Sequence, residues 1–402
     1  MEILSSVEGN FMSPQSSNSN MKIVQDALLA MYLMTLNWKR ISNELFSHIF
    51  MNADDWSFSY ISHKLQHIRN VYKELDIKDP YKYSGRLIFS MMLPDDFNLF
   101  QKNNANPKEP VVKIYKGVLY EGTINKKQLN GGHYSIVHLL YKEYNVQTAL
   151  KFINNVHFIA TQFLLSYGFS IGIHDCLDYT QKEIDNVVHK GFLEADEIEK
   201  NIRNPYIKEV KINGVLGKTK DIGMNLVKDK IDNNNFISTI TSGSKGSIFN
   251  ISQITSLLGQ QNIDGERIQP QLYGNRTLIH YKFEDLDEND KYESKGFIKH
   301  SFIRGLDPKE FFFHSISGRC GVIDTSMKTA HSGYAQRKII KVCEDLTVKY
   351  DGTVRNGNNK IIQYKYGDDN LDPNETIMVD DNMQFINIDR IVDKLNTNYE
   401  LT

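Results

Sequence analysis

Three cysteines (Cys176, Cys320, Cys343) are spread through 402 residues, far apart and without a C-x-x-C pair. Neither a disulfide framework nor a cysteine zinc site is supported, and a reducing compartment fits best. No run approaches the ~18 consecutive apolar residues that a membrane-spanning helix needs. The opening MEILSSVEGNFMS carries an acid where a secretory leader has a basic region, so secretion is not expected. No charge sign is in excess: 47 basic residues face 49 acidic ones, for a net charge of -2. That argues against a small basic nucleic-acid-binding domain, but not against a local basic stripe. The 12 histidines contain no H-E-x-x-H, and no cysteine–histidine signature marks a nucleophilic hydrolase. What is present is an ordinary globular composition, 40% apolar and 24% charged, long enough for two or three domains.

The chain opens with a Ser- and Asn-rich stretch, residues 1–22. Apolar residues from Ile23 to Ile49 recur at helical spacing and predict a helix there. Between 85 and 145 the runs Arg86–Met92, Val111–Tyr115 and Gly117–Tyr120 are short, β-branched or aromatic, and predict strands of a small sheet. The stretch QKNNANPKEP, 101–110, reads as a loop. A helix is predicted over Gln147–Tyr167, ended by Gly168. A charged amphipathic helix is predicted over 180–203, an irregular connection over 204–220, and a second helix over 222–237. No internal repeat is visible.

The clearest helix starts at Asp307. Asp307-Pro308-Lys309-Glu310 places a carboxylate at the N-cap, proline at the first helical position and glutamate three residues on. Nothing interrupts the pattern before Tyr350-Asp351-Gly352, so the helix would run for about 42 residues, or ~60 Å. It contains Gly318, Gly321 and Gly333, each unfavourable by ~1 kcal/mol relative to alanine. Such a helix either bends or is closely approached; the alternative is a core helix with incidental glycines. Its first half is bulky and apolar, with Phe311, Phe312 and Phe313. Its second half carries Lys328, Arg337, Lys338 and Lys341, and Ala330, Tyr334, Arg337 and Lys341 share one face. A tyrosine among cations suits base stacking with phosphate contacts, and a plain solvated basic face is the alternative. The carboxylates of Asn52-Ala53-Asp54-Asp55 and Asp368-Asp369-Asn370 lack a preorganised turn and read as solvated rather than metal-binding.

The order of several segments resembles the largest subunit of multisubunit DNA-directed RNA polymerases of the eukaryotic, archaeal and large-DNA-virus type. These are SPQSSNSNMKIVQDALLA, GFSIGIHDCL (168–177), SGSKGSIFNISQ (242–253), GQQNIDGERI (259–268), and the long run from SKGFIKHSFIRGLDPKEFFFH to VKYDGTVRN. The resemblance spans nearly the whole chain in family order.

It implies an α+β fold within a larger multisubunit assembly. Residues 1–180 would form a pore region with a small mixed sheet, 181–305 a helical funnel, 306–350 a bridge helix, and 351–402 the start of the following cleft domain. It implies that Lys328, Thr329, Ala330, Gly333, Tyr334, Arg337 and Lys338 face the DNA template, and that Lys245, Gln260, Gln261 and Arg267 line the funnel. The implied chemistry is nucleotidyl transfer with Mg2+, on a DNA template and RNA–DNA hybrid, from nucleoside triphosphates, beside the second-largest subunit and without a membrane. The family's Asn-Ala-Asp-Phe-Asp-Gly-Asp metal motif is not in the sequence, and the trigger loop is not expected in it. The expectation is therefore a middle piece without catalytic or metal-binding residues of its own, inactive alone, whose magnesium another chain or segment ligates. The alternative is a truncated, non-catalytic remnant with at most weak nucleic-acid binding. A nucleus, or host cytoplasm or a virion for a virus, would suit it. Departures from the family pattern are Ser317-Gly318 for paired glycines, Cys320 for glutamate, His331 for an acid, and Lys338 for an arginine, which keeps charge but loses the bidentate fork.

Overall fold

Residues 26–35, DALLAMYLMT, carry no charge after Asp26, and the helix they form (α1, Asp26–Thr35) is buried from Ala27 to Thr35. In the computed structural model, which describes residues 2, 5–53, 56–78, 81–101, 111–176, 181–230, 234–281, 290–379, 382–386 and 388–399, α1 is the axis of the first of three regions. The Asp54-Asp55 pair, the predicted loop beyond Gln101 and the boundary at 180 lie outside the described residues.

The single helix predicted over 23–49 is two. Asn37 takes a left-handed conformation (φ 44°) inside a short 3-10 turn, Leu36–Trp38. Ser42 then caps α2 (Asn43–Asn52) by accepting from the Leu45 N–H at 3.2 Å. After α3 (Phe58–Glu74), the predicted strand Arg86–Met92 is instead helix α4 (Gly85–Met91). All seven α4 residues are buried, so the run shows no polar face from which its period can be read. Gly85 is required there, since a Cβ would stand 1.9 Å from the Met34 carbonyl oxygen. The predicted strands Val111–Tyr115 and Gly117–Tyr120 form as β2 (Val112–Tyr115) and β3 (Val118–Glu121), with β1 (Leu99–Gln101) antiparallel to β2. Lys116 and Gly117, both at positive φ, make the tight turn between them. Helices α5 (Lys126–Leu129) and α6 (Ile136–Glu143) lead to α7 (Val146–Tyr167), which Gly168 ends at φ 68°. Its buried positions, Ala149, Phe152, Ile153, Val156, Ile159, Ala160 and Phe163, form one stripe.

The second region is built on α8 (Gln181–Asn201) and α9 (Pro205–Lys230). The stretch 204–220, predicted irregular for its glycines, is helical. Asn204 accepts from the Tyr206 N–H at 3.1 Å and Pro205 sits in the first turn, a sound helix start. Ile212, Leu216 and Thr219 are buried along it, while Gly214 and Gly217 face open space. Ile184, Val188, Phe192 and Ala195 of α8 pack with Ile212 and Leu216 and with Tyr292 and Phe297. The predicted helix 222–237 is the end of α9 and the start of α10 (Asn235–Ser242). There follow α11 (Ile248–Thr255), β4 (Gly259–Gln260), the hairpin β5 (Asn262–Ile263) and β6 (Glu266–Arg267), α12 (Asp290–Glu293), and β7 (Phe297–Ile298) antiparallel to β4.

The third region begins with α13 (Pro308–Cys343), 36 residues and ~54 Å long. It stops seven residues before the predicted end at Tyr350. Residues 347–355 instead pair as β8 (Thr347–Val348) and β9 (Val354–Arg355), and Gly352 (φ 79°) lies in their turn. Strand β10 (Ile361–Gln363) completes that sheet, and β11 (Ile377–Val379), β12 (Asn382–Gln384) and α14 (Ile388–Tyr399) follow. This segment is stitched back to the first region. Ser17 Oγ donates to the Pro373 carbonyl, Lys142 Nζ to the Asn374 carbonyl at 2.5 Å, and Arg390 Nε to Glu143 at 3.0 Å. The architecture is α+β. No helix among the described residues is long and apolar enough to cross a membrane.

Candidate nucleic-acid interface

The predicted capping box at the start of α13 is present in both halves, with Pro308 in the first turn. Below it, Phe313 is 1% exposed and stacks on Tyr281 with ring centroids 6.4 Å apart, and Lys309 Nζ lies 4.6 Å from the same ring. The β5–β6 hairpin then runs beside the helix. His314 Nδ1 is 3.3 Å from Gln261 Oε1, Ser317 Oγ donates to the Asn262 carbonyl at 2.9 Å, and Cys320 Sγ reaches Asp264 at 3.8 Å. Those contacts recur about once per helical turn, and they stop at the hairpin tip, Asp264-Gly265.

From Gly321 to Cys343 every residue of α13 is exposed, a bare length of about 35 Å. Cβ atoms added at Gly318, Gly321 and Gly333 would meet nothing within 4 Å, so these glycines relieve no crowding among the described residues. The bare part carries the predicted template face. Lys338 Nζ sits 4.0 Å over the Tyr334 ring, giving a joined cation and aromatic surface. Lys328 pairs with Asp324 one turn back, and this hydrogen bond holds its ammonium above the usual lysine range. Thr329 Oγ1 donates to the Thr325 carbonyl at 2.8 Å. Ala330 and Arg337 are exposed.

The four funnel residues are placed differently from one another. Lys245 stands exposed in the turn between α10 and α11. Gln260 donates to the Lys295 carbonyl at 2.8 Å, and the Gln261 oxygen meets His314 of α13. Arg267 is 4% exposed, and its guanidinium makes two bonds to Glu209 of α9, at 2.6 and 2.9 Å. Burial pushes the Glu209 carboxyl up, but hydrogen bonds from Lys295 and Arg267 outweigh this and hold it below its usual range. Arg267 thus anchors the hairpin to α9. Sequence reasoning missed the hairpin's support of α13. The hairpin itself has a local signal, the two-residue turn Asp264-Gly265, both at positive φ; its contact with α13 has none.

Two metal-like arrangements have other occupations. His300, Asp307 and Glu310 offer ligand atoms within 4.8 Å of one another, but the Glu310 oxygens already accept from Lys299 N, Asp307 N and His300. His63 and His67, one turn apart on α3, both approach Asp95, whose carboxylate holds the buried Lys64 ammonium. Neither fits a magnesium ion. The run Gly168-Phe169-Ser170-Ile171-Gly172 satisfies G-x-S-x-G, yet it follows a helix, whereas a nucleophile elbow joins a strand to a helix.

Three stretches of the chain match known protein families. Residues 10–176, 194–298 and 305–393 match, in that order, the families described as RNA polymerase Rpb1, domain 3, domain 4 and domain 5. A probable DNA-directed RNA polymerase II subunit RPB1 homolog of Invertebrate iridescent virus 6 is 39% identical over 425 residues, covering 99% of this chain and 40% of that protein. DNA-directed RNA polymerase II subunits RPB1-A and RPB1-B of Trypanosoma brucei brucei are each 33% identical over 383 residues, covering 91% of this chain and 21% of those proteins. The chain therefore spans 40% or less of the length of these relatives. With three consecutive domains matched in order, the chain belongs to the family of largest subunits of multisubunit DNA-directed RNA polymerases.

Proposed function

We infer that the chain serves template-directed RNA synthesis by positioning template DNA and lining the path by which nucleoside triphosphates enter. The observation that carries this is α13: rooted over its first three turns, bare for the rest, with Tyr334, Arg337 and Lys338 together on the bare part. In this reading 1–180 is the pore region, 181–305 the funnel, 306–350 the bridge helix, and 351–402 the opening of the next domain. Thr329, Ala330 and Gly333 give a small surface for close approach of the template. Tyr334 stacks, Arg337 and Lys338 hold phosphates, and Lys328 stands beside them. Lys245, Gln260 and Gln261 border the nucleotide path, and Arg267 holds that border in shape.

The family implies Mg2+, and neither candidate cluster described above fits it. The metal is then ligated elsewhere in the assembly, by the segment or chain bearing the three-aspartate motif, beside the second-largest subunit. A nucleus suits the relatives of cellular type, and host cytoplasm or a virion the viral one.

A photoreactive residue in place of Tyr334 tests the reading in a transcription complex purified through this chain. Crosslinking to the template strand supports it. Crosslinking to protein alone sinks it. Recovery of the chain by itself, with neither the second-largest subunit nor a three-aspartate chain, favours a non-catalytic remnant.

A further inference from the structure

Glu310 is 5% exposed and holds three partners at once. Its Oε2 accepts from the Asp307 N–H at 3.0 Å, which is the capping contact, and lies 2.7 Å from His300 Nδ1. Its Oε1 accepts from the Lys299 N–H at 3.2 Å. A carboxylate only accepts, so His300 Nδ1 carries the proton of that bond. Capping needs just the first contact. The other two reach back to the residues that leave β7, and the His300 carbonyl in turn accepts from the Leu258 N–H at 3.1 Å, at the entrance to β4. One buried side chain therefore ties the first turn of α13 to the strand pair from which the β5–β6 hairpin extends.

Beyond that tie α13 is a lever. Tyr334 stands 24 residues past Glu310, ~36 Å along the axis, so a change of ~5° at the root moves it by ~3 Å. A misplacement of about 1 Å is enough to lower a reaction rate ~100-fold.

We propose that Glu310, acting with His300, is a positioning residue that fixes the direction in which α13 leaves its root, and so sets where Tyr334 and Arg337 stand. Its consequence for RNA synthesis rests on the function proposed above; the geometry does not. The test uses E310A and E310Q, read in two ways. In the full chain, hydrogen exchange followed by mass spectrometry should show protection over 299–314 falling about tenfold in E310A. E310Q should retain most of it, because an amide oxygen in the place of Oε2 still accepts from both the Asp307 N–H and the His300 Nδ1–H, and only the Lys299 contact is lost. In the assembled polymerase, E310A should lower the maximal rate of nucleotide addition about 100-fold at an unchanged half-saturating nucleotide concentration. E310Q should restore most of that rate. The proposal falls if E310A leaves exchange and rate unchanged, or if E310Q does as badly as E310A. It falls too if E310A lowers only the thermal midpoint, since a mere cap would do that. If the wild-type assembly makes no RNA, the functional reading fails while the exchange measurement still decides the role of Glu310.

Discussion

His138 shows how much one side chain can say about pH. It is 2% exposed, neither ring nitrogen has a hydrogen-bond partner, and the His133 ring lies 5.2 Å away. Burial first, then the nearby His133 and Lys142 charges, push its pKa down to about 4; the Ser17 carbonyl opposes them without reaching bonding geometry. The unfolded chain takes up this proton near pH 6.5 and the folded chain only near 4. Stability from this group is thus complete above about pH 6.5 and falls as pH drops toward 4, by on the order of 3 kcal/mol. Calorimetry of the full chain from pH 7.5 to 5 should show the thermal midpoint falling, and His138→Leu should flatten that slope; an equal slope in the variant would refute the assignment. Arg267 makes the complementary point. Arg267→Ala leaves Glu209 with only Lys295, and because Glu209 is one-third exposed the loss should be about 1–3 kcal/mol in denaturant titration, below the range for a fully buried pair. The sequence marks Arg267 as a cation. It cannot mark it as buried, because its partner stands 58 residues earlier.

At the scale of the element, Gly333 separates what α13 wants as a helix from what its surface is for. A methyl group there meets open space, so Gly333→Ala should raise the stability of the helix by about 1 kcal/mol. If the template approaches this face, the same change should slow RNA synthesis by the assembled enzyme. Circular dichroism and a transcription assay on one variant read both, and a stabilised, fully active enzyme would count against the template face. Arg337→Ala should lower DNA affinity for all sequences alike and reduce the salt dependence by about one ion, measured by anisotropy across salt concentrations. Elements whose signals are local were legible: the capping box at Asp307–Glu310, the stop at Gly168, the stripe of α7. Those decided by surroundings were not. Helix α4 is buried on every side and so has no period to display. Helix α9 was obscured by Gly214 and Gly217, which face open space opposite its buried Ile212 and Leu216. The end of α13 was misplaced because the pairing of β8 with β9 depends on both strands, not on helix propensity. The basic face of α13 could be read from spacing alone; the hairpin that supports its root brings together residues 261–264 and 314–320, which no local pattern links.

For the whole molecule, the bare length of α13 exposes Val322, Ile323, Met327, Ile339 and Ile340 at 52–67%. Apolar side chains this exposed, spread around one bare helix, favour association with other surfaces. The purified chain should therefore self-associate with rising concentration in light scattering, and association with its polymerase partners should suppress it; a monodisperse monomer at high concentration would contradict this. The stitching of residues 373–390 onto the first region has a consequence in time. Ser17 and Thr376, whose hydroxyls lie 3.0 Å apart, leave the ribosome about 20–70 s apart at ~5–20 residues per second. Through that interval the nascent first region can fold around α1 while Ser17, Lys142 and Glu143 wait on water for their partners. Residues 373–390 thus close the first region only after all of it has been made, and a pause in translation before residue 373 would leave that side of the seam facing water.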